Sequence, residues 1–300
     1  MISLFSVSRV AGGCGAITSL LNAMLASNVS VHPSPLRGNI NFIQQMTFSP
    51  GDAATMCAAK GETLCYWPQY NGLVSLPSIA GGHLSYVAII FGLKAVMANV
   101  EAPFDPKLAM RIYNLTQVVL SVTMAVSLAP YLLNGVFNLN GGFNKDIEFW
   151  ILVHYGSKYL DMFDSLFMVL RKKSDQLTFL HVYHHLTIGA IWGLLLHFGT
   201  ANGTAFYGAW INSVVHALMY FHYFITSFGI HNPLKKYLTQ FQMAQFATCM
   251  LHAVLVIFVD RQITTPWALL QLCYHMTLLF LFARFYNADR KKEKRSKRIE

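Results

Sequence analysis

The 300-residue chain is 54% hydrophobic and only 12% charged, and a mean hydropathy of +0.42 excludes a soluble domain of ordinary composition and makes a membrane protein the first inference. The formal net charge of +9 suggests a nucleic-acid binder only until the Lys and Arg are placed, because they fall mainly in alternate loops, the positive-inside pattern of a polytopic helical protein. The five cysteines form no C-x-x-C pair, which removes a zinc ribbon and a redox dithiol; they read as packing residues, with a disulfide between Cys57 and Cys65 as an option if the N-terminus faces an oxidising lumen.

Residues 1–80 are rich in Gly, Ser, Asn and Pro and read as a poorly ordered extension. Within it, residues 11–26 mimic a signal segment but are interrupted by Gly and Asn, and Asn28-Val29-Ser30 is a glycosylation sequon that only a luminal N-terminus would make accessible. Crossing the hydrocarbon core takes roughly 20 mostly apolar residues. The first and weakest such stretch is 82–98, whose Lys94 can snorkel to the interface. Six more follow at 108–133, 147–170, 177–198, 204–228, 238–259 and 266–286. The spacing therefore predicts seven spans in a transmembrane domain over 81–288, with short loops and no room for a soluble catalytic domain.

Lys107 and Arg111 follow the first span, Arg171, Lys172 and Lys173 the third, Lys235 and Lys236 the fifth, and seven basic residues from Arg290 to Arg298 the seventh. The opposite loops hold little more than Lys145 and Arg261. The C-terminus is thus expected in the cytosol and the N-terminus in the lumen or outside. Residues 289–300 form a basic cytosolic tail; its Lys297 and Arg298 resemble an endoplasmic-reticulum retrieval signal, although basic residues are expected beside a cytosolic span end in any case.

Ionisable side chains inside a bilayer are costly and mark function by default. In the third span Lys158, Asp161, Asp164 and Ser165 are spaced by three or four residues and share a helical face; they read either as a self-neutralising pair that locks the bundle or as direct participants. Opening the fourth span, His181, His184 and His185 converge on one side of a helix, where a lone histidine would be an ordinary hydrogen-bonded residue. In the fifth span Asn212, His216, Met219, Tyr220 and Tyr223 make one polar-aromatic stripe, with His222 on another face. In the sixth, Thr239, Gln242 and Gln245 either line a cavity or bond neighbouring helices.

Two chemistries suit such histidines. As neutral imidazoles they can ligate metal, as in membrane di-iron desaturases or hydroxylases. That site needs several histidine boxes, however, and His32, His83, His154, His197, His231, His252 and His275 are isolated. As a nucleophile or general base, an imidazole of ordinary pKa about 6.5 is largely neutral at cytosolic pH and can attack a thioester. The acyl-imidazole so formed stays reactive, so a dry tunnel shielding it from water is a physical requirement. A transport role, with the histidine face as proton relay, lacks the paired interrupted helices of repeat-built transporters.

Four motifs in order carry a resemblance to the fatty acid elongase (ELO) family of condensing enzymes. Residues 158–165 resemble K-x-x-E-x-x-D-T, residues 179–185 F-L-H-x-x-H-H, residues 212–223 N-x-x-x-H-x-x-M-Y-x-Y-Y, and residues 239–245 T-x-x-Q-x-x-Q. The likeness runs from about residue 85 to 286. Asp161 stands for the usual glutamate, Ser165 for threonine and His222 for the first tyrosine of the Y-Y pair, while Gln176 and Tyr183 resemble the branch acting on polyunsaturated chains.

The resemblance implies an all-α integral membrane fold of seven transmembrane helices, with spans two to seven arranged as a six-helix barrel around an acyl tunnel open to the cytosol. It implies decarboxylative condensation of malonyl-CoA with acyl-CoA to a 3-ketoacyl-CoA two carbons longer, in the endoplasmic reticulum, with no metal or other cofactor. His184 would carry the acyl group, with His181 and His185 orienting it or moving protons. Asn212 and His216 would serve the malonyl side. Lys158, Asp161, Asp164, Gln176, Tyr220, Tyr223, Gln242 and Gln245 would support this shell. Arg171, Lys172, Lys173, Lys235, Lys236 and Arg284 would meet the CoA phosphates. The expected partners are membrane lipid and the ketoreductase, dehydratase and enoyl reductase of the cycle, with a homodimer left open and no nucleic acid.

Overall fold

The computed structural model describes residues 63–133, 145–199, 205–259 and 265–296, and the described residues form a short 3-10 helix, Pro68–Val74, and eight α-helices. These are α1 (Leu76–Ala98), α2 (Lys107–Leu133), α3 (Lys145–Asp161), α4 (Phe163–Leu170), α5 (Phe179–His197), α6 (Phe206–Thr226), α7 (Lys235–Val259) and α8 (Thr265–Ser296). Local chemistry sets their ends. The Ser75 hydroxyl caps α1 by accepting from Ser78 N, with proline in the first turn. The Thr178 hydroxyl caps α5 by accepting from His181 N at 3.2 Å. After α5 and α6 the chain turns through Gly199 (φ 64°) and Gly229 (φ 79°), a left-handed conformation that favours glycine.

Five helices, α1, α2, α5, α7 and α8, are long and apolar enough to cross a membrane. Their outward side chains remain uncovered, with Leu84, Leu108 and Phe258 at 70%, 70% and 75% exposure, as lipid-facing residues are. The chain is a multi-pass membrane protein. The expected spans 147–170 and 204–228 fall outside those five. The first is not one helix: it breaks at Met162, where Ser165 N bonds back to Met162 O in a tightened turn. The second, α6, is 21 residues long but carries Asn212, Ser213, His216, Tyr220 and His222.

The first span also begins earlier than expected, at Leu76. Residues 63–79, assigned above to the extension, pack into the body, with Leu64, Val74 and Ile79 buried. Cys65 is disulfide-bonded; Cys57, like residues 11–26, the sequon, Lys297 and Arg298, lies outside the described residues. At the other terminus α8 runs on as helix to Ser296, through most of the basic tail.

Helix α2 lies along α6 and α7 along α8; α6 also touches α7, α3 touches α2, α5 and α6, and α5 touches α8. Helix α1 packs on α4 and α5. The start of α2, with Lys107 and Arg111, and the α4–α5 connection, with Arg171, Lys172 and Lys173, meet at one end, where Phe104 N bonds Leu170 O, Arg171 Nε pairs with Asp105 Oδ1 at 3.1 Å, and Arg111 Nη2 donates to Ser227 O. At the opposite end, His197 Nδ1 donates to Val74 O and Phe198 lies against Trp267.

Candidate active site

The last turn of α3 places Lys158 and Asp161 in the bundle interior, each 2% exposed. Two charges so far from water persist only if paired and hydrogen-bonded. Lys158 Nζ donates to Asp161 Oδ2 at 3.1 Å and to Asn212 Oδ1, on α6, at 2.8 Å. An ammonium only donates, so the amide oxygen of Asn212 must face it, and the Nδ2 group is turned away. The other Asp161 oxygen accepts from Gln117 Nε2 at 2.6 Å and from the Tyr220 hydroxyl at 3.1 Å. His216 Nδ1, one turn along α6 from Asn212, stands 3.6 Å from Asp161 Oδ2.

The break at Met162 lets Asp164 approach the same phenol: Tyr220 OH lies 2.8 Å from Asp164 Oδ2. A phenol has one proton, so Tyr220 donates to one carboxylate at a time. Tyr113 of α2 completes the group, its hydroxyl 3.2 Å from that of Tyr220 and accepting from Gln117 Nε2.

The three histidines of α5 sit in its first two turns, toward the basic end. His181 Nε2 and the Tyr86 hydroxyl each lie 2.8 Å from Ser165 Oγ, so α4 and α1 hold that imidazole. The His181 and His185 rings are 4.3 Å apart, and the His184 ring lies 5.4 Å from that of His185 and 6.3 Å from Phe282. The first motif is bonded to the second through Ser165 and His181 and to the third through Lys158 and Asn212, so the three meet in one cluster. Below it, toward the end opposite the basic loops, lies a narrow cavity of about 60 Å³. Ile188, Trp192 and Leu195 form its apolar wall, with Asn212, Gln245 and His275 among the polar lining.

Not every expected residue joins this cluster. Gln242 bonds Met219 Sδ at 3.6 Å, and Tyr223 stays 40% exposed at the rim, its ring 6.0 Å from Tyr220. Gln176 is an exposed loop residue before α5. His222 is buried beside Tyr223. Of the expected CoA-binding cations, Arg171 and Lys172 already bind the α1–α2 connection: Arg171 pairs with Asp105, and Lys172 Nζ, from a left-handed residue (φ 54°), donates to Val100 O. Lys173, Lys235, Lys236 and Arg284 are exposed at that end, Lys236 over the Tyr237 ring and Arg284 over Phe280.

Sequence reasoning missed Tyr86, Tyr113, Gln117 and His154. His154, counted above as isolated, is fully buried one turn before Lys158, with its ring 4.8 Å from that of Trp192. The signal for α2 was present: Asn114, Gln117 and Ser121, spaced by three and four inside an apolar span, are all buried. Among the described residues no group of three or more His, Cys, Asp or Glu side chains is arranged to hold a metal ion.

Residues 74–298 match the ELO: GNS1/SUR4 family. The chain is 56% identical to fatty acid elongase 5 of Leishmania major over 246 residues, 82% of this chain and 98% of that protein. It is 51% identical to fatty acid elongase 5 of Trypanosoma cruzi over 240 residues, 80% and 94% of the two chains. Against very long chain fatty acid elongase 4 of Homo sapiens the identity is 34% over 209 residues, 65% and 66% of the two. None of these relatives bears the name of a desaturase or hydroxylase, and the di-iron alternative finds no support in them. With its four ordered motifs and a match spanning all eight helices, this chain belongs to the ELO (GNS1/SUR4) family.

Proposed function

We propose that this chain is a fatty acid elongase acting by decarboxylative condensation: malonyl-CoA and an acyl-CoA give a 3-ketoacyl-CoA two carbons longer, CoA and carbon dioxide. The family and its named relatives support fatty acid elongation. The observation that carries the particular chemistry is the gathering of Asn212 and His216 around the Lys158–Asp161 pair, with the histidine face of α5 bonded to the same motif through Ser165, beside an apolar cavity that Asn212 helps to line.

His184 attacks the thioester carbonyl of the acyl-CoA; the C–N bond forms, the C–S bond breaks, and the departing thiolate takes the proton that the imidazole loses. The low-polarity wall below protects the acyl-imidazole from water. Malonyl-CoA then loses carbon dioxide, and its enolate forms the C–C bond to the acyl carbon as the C–N bond breaks. The imidazole regains a proton, so one is consumed overall. The Nδ2 group of Asn212, held outward by the Lys158 contact, and His216 are the donors for the developing oxyanion. His181, fixed by Ser165, and His185 hold the His184 ring in place. Lys158, Asp161, Asp164 and Tyr220 position this shell without reacting.

The order of neighbours, α2 to α6, α6 to α7, α7 to α8, α8 to α5, α5 to α3 and α3 back to α2, supports a six-helix barrel around an acyl tunnel, with α1 outside and α3 and α4 together making one of seven spans. The basic end is then cytosolic and receives the CoA nucleotide near Lys173, Lys235, Lys236 and Arg284, while the N-terminus is luminal in the endoplasmic reticulum. A 3-ketoacyl product requires reduction, dehydration and a second reduction, so a ketoreductase, a dehydratase and an enoyl reductase act next.

Intact-mass measurement after exposure to acyl-CoA alone should show an acyl adduct that is absent in His184→Ala. Persistence of the adduct in that variant would remove His184 from its role.

A further inference from the structure

Residues 63–73 precede the stretch that the family matches, yet they are fastened to the bundle by several independent contacts. Cys65 N, Tyr66 N and Trp67 N all donate to the Glu148 carboxylate, at 3.1, 2.8 and 3.2 Å. Glu148 is 3% exposed, and three amide donors are what a carboxylate removed from water requires. Trp67 Nε1 donates to Lys145 O at 3.2 Å, and its ring lies 5.3 Å from that of Phe149. His197 Nδ1 holds Val74 O, at the end of the segment, at 3.0 Å.

This anchoring presses two apolar side chains inward. Leu64 and Val74, 1% and 0% exposed, belong to one core cluster with Trp192, Leu196, Phe206 and Ala209, and Ile188, Leu195 and Ala205 pack against it. Ile188, Trp192, Leu195 and Ala205 are at the same time wall residues of the cavity. The segment does not itself line the cavity; through the shared cluster it lies behind these wall residues, at the end remote from His184 and from the basic loops. An extended chain attached to His184 would run along α5 toward that end, and His184 to Leu195 is eleven residues, roughly 16 Å of helix.

We propose that residues 63–74 support the floor of the acyl cavity from behind and thereby set the length of the chain it accepts, so that specificity is decided in part by a segment in front of the helical bundle. This rests on the elongase reading above. Leu64 is the residue through which it acts: a smaller side chain lets the wall packed in front of it recede and deepens the floor, and a larger one pushes that wall inward.

The test uses full-length purified protein as wild type, Leu64→Ala and Leu64→Phe. Thermal stabilisation by acyl-CoAs of graded length, without malonyl-CoA, reads the depth of the cavity; product lengths with labelled malonyl-CoA read its consequence. Expected is a shift of the best-stabilising and longest-elongated chain by at least two carbons upward in Leu64→Ala and downward in Leu64→Phe. If Leu64→Ala does not fold, Val74→Ala opens the same floor. An identical length optimum in wild type and variants overturns the proposal while leaving condensation intact. A shifted optimum in stabilisation, with no product from any of the proteins, supports the floor and overturns the condensation reading instead.

Discussion

Gln117 Nε2 donates to Asp161 Oδ1 at 2.6 Å, joining α2 to the carboxylate that neutralises Lys158. The same amide reaches the Tyr113 hydroxyl at 3.2 Å, so one side chain braces both the ion pair and the tyrosine beside it. Replacing Gln117 by Leu leaves the Oδ1 atom with the Tyr220 hydroxyl alone. Losing a hydrogen bond to a buried charge costs about 1.5–3 kcal/mol, which thermal unfolding in detergent should register together with a lower kcat. Gln117→Glu, which brings a second carboxylate to the same atom, should lower the unfolding midpoint further.

The Lys158–Asp161 pair should tolerate joint removal better than single removal. Lys158→Met strands a buried carboxylate, at a cost of about 3–5 kcal/mol, and should give little monodisperse protein. Adding Asp161→Asn should recover much of the yield, because the carboxylate stranded by the loss of Lys158 is then a neutral amide. Turnover should stay absent, since Asn212 has lost the donor that orients it.

Asn212→Asp separates the two faces of that amide. An oxygen still meets Lys158, so the protein should fold, and the acyl adduct at His184 should form. The outward donor is gone, and condensation should fall by about 10²–10³-fold, the usual effect of deleting an oxyanion donor. Equal losses in adduct formation and in condensation would assign Asn212 to the first step instead.

Ser165 bridges Tyr86 and His181 through its hydroxyl. Ser165→Thr keeps that oxygen and should retain most of the activity. Ser165→Ala should slow turnover roughly five- to tenfold, which corresponds to about 1 kcal/mol of orientation energy, with little change in KM for acyl-CoA.

The cations at the basic end divide by what they already hold. Lys235→Ala with Lys236→Ala, both residues exposed, should raise KM for acyl-CoA and flatten its dependence on ionic strength. Arg171→Ala, which breaks the contact to Asp105, should act mainly on stability. Rate measurements between low and high salt distinguish the two.

Most of the helical plan was legible in the sequence, because an apolar run of span length leaves a backbone few alternatives in lipid. The two sets, His181, His184 and His185 on α5 and Asn212 and His216 on α6, were equally legible, since helical spacing alone puts each on one face of its own helix. Other features needed three dimensions. The break at Met162 is carried by no proline or glycine, so nothing in composition announces that Asp164 and Ser165 are turned onto a separate short helix. Gln176 looked like part of the shell by its place beside a motif, yet helix α5 starts after it and leaves it in the exposed loop. Glu148 is an unremarkable acid in sequence; its task appears only when three backbone amides from residues 65–67 are seen around it.

The helices that carry the buried Lys158–Asp161 pair and its neighbours Asn212 and His216, α3 and α6, are not among the five that qualify as membrane spans on length and apolarity. Lys158 and Asp161 neutralise each other within α3, but their remaining hydrogen-bond partners lie on other helices, so neither α3 nor α6 is at home in lipid until its neighbours have arrived. Biogenesis and catalytic competence are thereby tied together. A lesion in the buried polar group should first appear in the cell as protein withdrawn by quality control during membrane insertion, and only the survivors would reveal themselves as slow enzymes.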